Sequence, residues 1–254
     1  NIGGGGGARG GSTRAETTGC LTILITLVIV LGIAVSWLWY RHWHDGNVNS
    51  ERSEKAFALI RKQARATADD TARALDTSGT TDADALTGVI WQHSEAPVIT
   101  YDTSRREFTA TAARSAQYDE EVMLPGGGPV GMTRCFVFTY THRPGQAWTS
   151  GVSERDDDAC RPSTQIGNRV RLALTRISSM YAEDVTRAGV QDALDPTGRR
   201  SSDVKHVVRE GDTITVSVLV SSSQAAVDQC YRFTRPVTGD DSRSSATAVP
   251  ASSC

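Results

Sequence analysis

Four cysteines carry the clearest chemistry in the chain: Cys135, Cys160, Cys230 and Cys254. They fall into two pairs, each separated by about two dozen residues, and the first member of each pair sits in matching sequence. Cys135-Phe136-Val137-Phe138-Thr139 and Cys230-Tyr231-Arg232-Phe233-Thr234 both read Cys, aromatic, any residue, Phe, Thr. Thiols can hold a metal or form disulfides. Structural zinc sites draw two ligands from a short Cys-x-x-Cys turn. No two cysteines here come that close and no histidine stands at ligand spacing from one, so neither a metal nor a cofactor is expected. Disulfide formation is the chemistry that remains.

Four cysteines allow three connectivities, and spacing alone does not choose among them. A repeat does. Upstream, Ala68-Asp69-Asp70-Thr71-Ala72-Arg73-Ala74 resembles Ala182-Glu183-Asp184-Val185-Thr186-Arg187-Ala188. Strand-like runs follow at Phe108 to Ala112 and at Ile214 to Val218. The order is helix, strand, cysteine strand, second cysteine, twice over, which reads as an internal duplication. Bridges within each copy then join Cys135 to Cys160 and Cys230 to Cys254. Each closes a loop of roughly 25 residues, worth about 3 kcal/mol in the chain-entropy model. Such bonds persist in oxidising compartments. The first copy is longer, chiefly through Ala116 to Arg134.

Other candidate chemistry is thin. Pro125-Gly126-Gly127-Gly128-Pro129 is bracketed by prolines and lacks the lysine of a phosphate cradle, so it reads as a loop. Asp156-Asp157-Asp158 lacks the alternation and closing glutamate of a calcium loop and reads as a solvated acidic run. His42, His44, His93, His142 and His206 are scattered. A Ser/His/Asp triad is recognised by geometry rather than order, and no spacing here points to one, so the catalytic residues are unknown. With 27 basic against 29 acidic residues, the chain lacks the basic footprint of a nucleic-acid binder.

The elements that must position the cysteines begin with an anchor. Leu21 to Tyr40 contains no charged residue. At about 1.5 Å per helical residue it spans about 30 Å, the thickness of a hydrocarbon core. Trp37, Trp39, Tyr40 and Trp43 cluster at its end, as an aromatic belt at the membrane interface would, and Arg41 and His42 follow. A cleaved signal peptide would place small residues where the bulky Trp-Leu-Trp-Tyr stands. Cys20 precedes the apolar run, whereas a lipoprotein cysteine follows it. Arg9 and Arg14 oppose Glu16 on one side, and Arg41, Arg52 and Lys55 lie on the other. This charge bias mildly favours a cytoplasmic domain, whereas the disulfides require an extracytoplasmic one, with the N-terminus inside. The chain opens at Asn1 rather than Met, so an N-terminus that is truncated or processed is expected.

Apolar periodicity predicts a helix over Glu54 to Leu75, with Phe57, Ile60, Ala64, Ala68, Thr71 and Leu75 on one face. A shorter helix is expected over Asp82 to His93 and another over Asn168 to Ala188. Strands are expected at Val98 to Tyr101, Glu107 to Ala113, Cys135 to Thr141, Val204 to Val208, Thr213 to Val220 and Gln229 to Thr234. The tail from Gly239 to Ser253 reads as irregular. The organisation is a flexible glycine-rich segment 1–19, a transmembrane helix 20–43, a linker 44–53, a first α+β unit 54–163 and a second 164–254. The fold class is α+β: two similar units, each one helix over about three antiparallel strands, as two lobes or one pseudo-symmetric sheet.

In layout the chain resembles single-pass membrane proteins of high-GC Gram-positive bacteria: glycine-rich start, one apolar span, an arginine-rich domain in which Lys55, Lys62 and Lys205 are the only lysines. The order of anchor, helix and sheet also loosely resembles helix-on-sheet domains of the cystatin or NTF2-like kind. The apolar span, the staple-like cysteines and the lack of catalytic motifs point to an envelope protein whose partners are the lipid bilayer and envelope proteins or wall polymer, with no nucleic acid. A non-catalytic binding or structural module is the expected function. A membrane-tethered envelope hydrolase and a single-pass sensor are the alternatives.

Overall fold

The structure, a computed structural model, describes residues 13–120, 128–198, 201–223, 227–237 and 244–254, with side chains described from residue 22 onward. The glycine-rich start and most of the Pro125–Pro129 loop lie outside the described residues. The chain forms two compact bodies, residues 1–55 with 118–130, and 56–117 with 131–254.

The first body is built on α1, a helix running from Thr13 to Ser78. Its apolar stretch is bare: Ile23, Leu24, Leu27, Val28, Leu31, Val35 and Trp39 are all more than half exposed. This is a helix long and apolar enough to cross a membrane, and none of its apolar window is buried among the described residues. The expected linker 44–53 is helical instead. It contains no proline, and helix already nucleated on either side propagates through it for the modest cost of Gly46. Lys55 Nζ lies 2.6 Å from Glu51 Oε1, an i,i+4 pair that supports this stretch. Arg52 Nη1 donates to the carbonyl of Asp119, 2.8 Å away.

The second body holds two halves of the same design. In the first, α1 from Ala56 and α2 (Ala83–Ser94) cover a sheet of order β1-β2-β3-β4, made of Val98–Asp102, Glu107–Asp119, Pro129–Thr141 and Thr149–Arg155. In the second, α3 (Arg161–Ser179) and α4 (Arg187–Leu194) precede a sheet of order β5-β6-β7-β8, made of Ser202–Glu210, Thr213–Ser221, Asp228–Pro236 and Thr247–Ala251. The pairings β1–β2, β3–β4, β5–β6, β6–β7 and β7–β8 are antiparallel. The fold is thus α+β, with two separate four-stranded sheets rather than one, and two helices to each half rather than one.

Alternation explains the cores. Phe136, Phe138 and Tyr140 point inward from β3 against Ile60, Ala64, Ala68 and Leu75 of α1 and Leu86 and Ile90 of α2. Ile214, Val216, Val218 and Val220 do the same from β6 against Ile166, Val170, Ala173 and Ile177 of α3. Each large apolar side chain so buried contributes about 1.5–3 kcal/mol.

Both fourth strands contradict the reading of three per half, and β8 runs through the tail expected to be irregular. They are sheet edges with weak β signals. Gly151 interrupts β4, where it faces Thr139 and a Cβ would strike the threonine hydroxyl. Pro250 interrupts β8, and proline is tolerated there because an edge strand has an outward N–H to spare. β2 and β3 extend into the Ala116–Arg134 insertion from its two ends, as far as Asp119 and from Pro129 on.

The helix expected over Asn168 to Ala188 starts earlier and breaks in the middle. It opens at Arg161 with Pro162 in its first turn, a position where the missing N–H costs nothing. It ends at Ser179, where Met180 is extended. Arg235, 1% exposed, donates to the carbonyls of Ile177 and Met180 at 3.1 and 2.7 Å and closes the helix end. Thr186 then caps α4, its hydroxyl accepting from Gly189 N at 3.1 Å. The match between Ala68–Ala74 and Ala182–Ala188 therefore has no structural counterpart: the former is mid-helix, the latter a loop and the start of α4.

The halves meet along β1 and β7. Ile99 N–H donates to Gln229 Oε1 at 2.8 Å, so a side chain from β7 satisfies the edge of the first sheet. Gln229 Nε2 in turn donates to Ala251 O at 2.8 Å. Val98 packs into the core of the second half. Gly167 of α3 passes close to Pro97, where a Cβ would come within 3.1 Å of the proline ring.

Candidate functional site

The cysteines are paired as the repeat implies. Cys135 bonds Cys160 and Cys230 bonds Cys254, each with Cα atoms 5.4 Å apart. Each bridge ties the third strand of a sheet to the segment just past the fourth. Both are structural staples, three of whose four cysteines are buried. The aromatic residues Trp37, Trp39, Tyr40 and Trp43 lie exposed along α1 in the first body. The Arg41 guanidinium sits 5.5 Å over the Trp37 ring.

Two depressions in the second body hold polar groups. One, of about 590 Å³ beside the first disulfide, is lined by Arg61, Arg134, Glu154, Arg155, Asp156 and Asp157. Its charges mostly neutralise one another: Arg61 pairs with Glu154 at 2.7 Å, and Arg134 reaches Glu154 at 3.3 Å and Asp157 at 3.2 Å. Arg134 also lies 4.1 Å over the Phe57 ring. The Arg61 hydrogen bond holds the Glu154 carboxyl below its ordinary range. Two of the three aspartates of the acidic run are thus paired, Asp157 with Arg134 and Asp158 with Arg161. The Arg61–Glu154–Arg134–Asp157 chain of pairs thus occupies four of the six charged groups that line this depression.

The other is different. A pocket of about 520 Å³ opens at the end of α1, lined by Leu75, Asp76, Gly79, Thr80, Thr81, Leu86, Tyr101, Arg106, His142 and Trp148. Three chain reversals build it. Gly79, at φ +63, turns the chain from α1 toward α2, whose N-cap is Asp82. The β1–β2 turn brings Tyr101 and Arg106, with Arg106 at φ +51. The β3–β4 turn brings His142 and Trp148.

Its wall is aromatic. Tyr101 stacks on Phe108 at 4.3 Å between centroids, Trp148 tilts against Phe108 at 5.9 Å, and His142 lies 5.0 Å from Trp148. The backbone fixes the order of the polar groups. His142 N–H donates to Arg106 O at 3.3 Å, and Trp148 N–H donates to Asp76 Oδ1 at 2.8 Å. The lining therefore runs Arg106, His142, Trp148, Asp76. Neither Arg106 nor Asp76 forms an ion pair among the described residues. Among those residues no group of three or more His, Cys, Asp or Glu side chains is placed to hold a metal ion.

Sequence reading did not find this pocket. Its residues come from four separate segments, and Trp148 in a polar loop after a strand was the one available signal. Tyr140, whose hydroxyl burial pushes up to about 12, and Tyr231, also raised by burial, belong to the two cores.

No family model matches the chain, no curated protein matches it and no solved structure matches its fold. A bare apolar helix near the N-terminus and a disulfide-bonded body are features of a membrane-anchored or secreted extracytoplasmic protein.

Proposed function

We propose that this chain is a single-pass membrane protein of the cell envelope, with its C-terminal body outside, that acts by binding rather than by catalysis. The observation that carries this reading is the pocket bounded by Tyr101, Arg106, His142, Trp148 and Asp76. It combines a half-buried aromatic wall with polar groups that have capacity to spare, the usual composition of a ligand site. The two bridges support the compartment, and the bare span of α1 supports the anchor. The partners that fit are the bilayer and a wall polymer or envelope protein. The similarity of the two halves supports an origin by duplication.

The test uses the full chain in lipid nanodiscs, mixed with purified wall sacculi. Co-sedimentation that Trp148→Phe weakens supports binding through the pocket. Sedimentation unchanged by that substitution excludes the pocket, and release of soluble wall fragments would make the protein a hydrolase. Orientation is read by alkylation of unreduced, denatured protein: Cys20 alone should take label, and five labelled cysteines would place the body in a reducing compartment.

A further inference from the structure

The pocket has two ends of opposite charge. At one, the Arg106 guanidinium is exposed and without an ion-pair partner among the described residues. At the other, the Asp76 carboxylate gives one oxygen to Trp148 N–H and keeps the second. Between them lie His142 and Trp148, with Tyr101 and Phe108 behind. In the pocket the opposite charges are held apart, with an aromatic surface in the gap.

A ligand that completes this arrangement carries a carboxylate and an ammonium separated by a short, uncharged body. A guanidinium matches a carboxylate with two parallel N–H donors. An ammonium suits a carboxylate flanked by aromatic faces, which attract cations. The threonines Thr80 and Thr81 add hydroxyls at the Asp76 end. A neutral sugar would use the aromatic wall and leave both charges idle. A simple anion or cation would use one end and be repelled by the other.

Resting on the reading of this pocket as a binding site, we infer that it takes a short zwitterionic peptide, its carboxylate against Arg106 and its ammonium against Asp76 across the His142–Trp148 wall. The same pair of charges is offered by a free dipeptide and by a wall-polymer peptide branch that carries a free carboxylate and a free side-chain amine.

Calorimetric titration of the full chain in nanodiscs with alanyl-alanine tests this, beside N-acetyl-alanyl-alanine and alanyl-alanine amide, which lack one charge each. Alanyl-alanine is expected to bind, and each blocked form about tenfold or more weakly. Arg106→Gln should weaken alanyl-alanine by a similar factor and leave the amide unchanged. Asp76→Asn keeps the acceptor for Trp148 N–H while removing the charge, so it should weaken alanyl-alanine and leave the acetylated form unchanged. Wall fragments bearing peptides, compared with glycan chains stripped of them, separate the two sources. Binding of a chito-oligosaccharide that Trp148→Phe weakens but Arg106→Gln and Asp76→Asn do not would overturn the ligand class and keep the pocket. No binding by any probe, with sacculus binding insensitive to Trp148→Phe, would overturn both.

Discussion

The hydroxyl of Tyr231, on β7 of the second half, donates a 2.6 Å hydrogen bond to the carbonyl of Pro97, just ahead of β1 in the first. Tyr231 is 2% exposed, so its hydroxyl and that carbonyl depend on each other rather than on solvent. Tyr231→Phe keeps the ring in the core and orphans the carbonyl, which should cost about 1–3 kcal/mol. Urea denaturation should show a lower midpoint with an unchanged slope. A split into two transitions would mean that this bond, more than the shared core around Val98, couples the halves.

Asp84 ties α2 to the far end of the second half. It accepts from Ser252 N at 2.8 Å and from the Ser252 hydroxyl, and it pairs with Arg232. Burial alone would raise its carboxyl, but the Ser252 bonds and the Arg232 guanidinium outweigh that and hold it below the ordinary range. A carboxyl depressed on folding stabilises the protein above its unfolded value, about 3.9, and that contribution fades as pH falls through the lower folded value. Asp84→Asn should therefore lower the melting temperature at pH 7 and make progressively less difference below about pH 4. A gap that stays constant down to pH 2 would contradict the linkage.

Arg235 is a charge buried without a carboxylate partner among the described residues, stabilised by the carbonyls that end α3. Burial lowers its affinity for the proton. Arg235→Ala removes donors and volume together and should destabilise by about 2–4 kcal/mol. Amide exchange should then accelerate most in the last turn of α3. Uniform acceleration through both halves would show a general loss of packing instead.

Each disulfide can be removed separately. Cys135→Ser with Cys160→Ser, and Cys230→Ser with Cys254→Ser, should each cost about 3 kcal/mol. Denaturation of each double variant against the parent measures it. A loss well under about 1 kcal/mol in either would mean that the sheet alone fixes that strand end.

Sequence patterns were most legible where one face of a strand carries large apolar groups. Phe136, Phe138 and Tyr140, or Ile214 through Val220, can hardly be misread. They were least legible where tertiary partners decide. The end of α3 depends on Arg235, more than fifty residues away, and the break that Arg235 closes misaligned the upstream half of the repeat. β4 and β8 have neighbours on one side only, so their sequences carry little of the usual strand signature. The staples were readable because local sequence repeats around them. The pocket was not, because Asp76, Tyr101, Arg106 and Trp148 become neighbours only when three reversals of the chain converge.

Both bridges connect cysteines that are consecutive along the chain. A polypeptide made from its N-terminus exposes Cys135 and Cys160 to oxidant before Cys230 and Cys254 exist, so first-come pairing among the four cysteines beyond the apolar span already yields the native set. Maturation then needs an oxidase but no reshuffling by an isomerase, and each half can lock shut in the order in which it is synthesised.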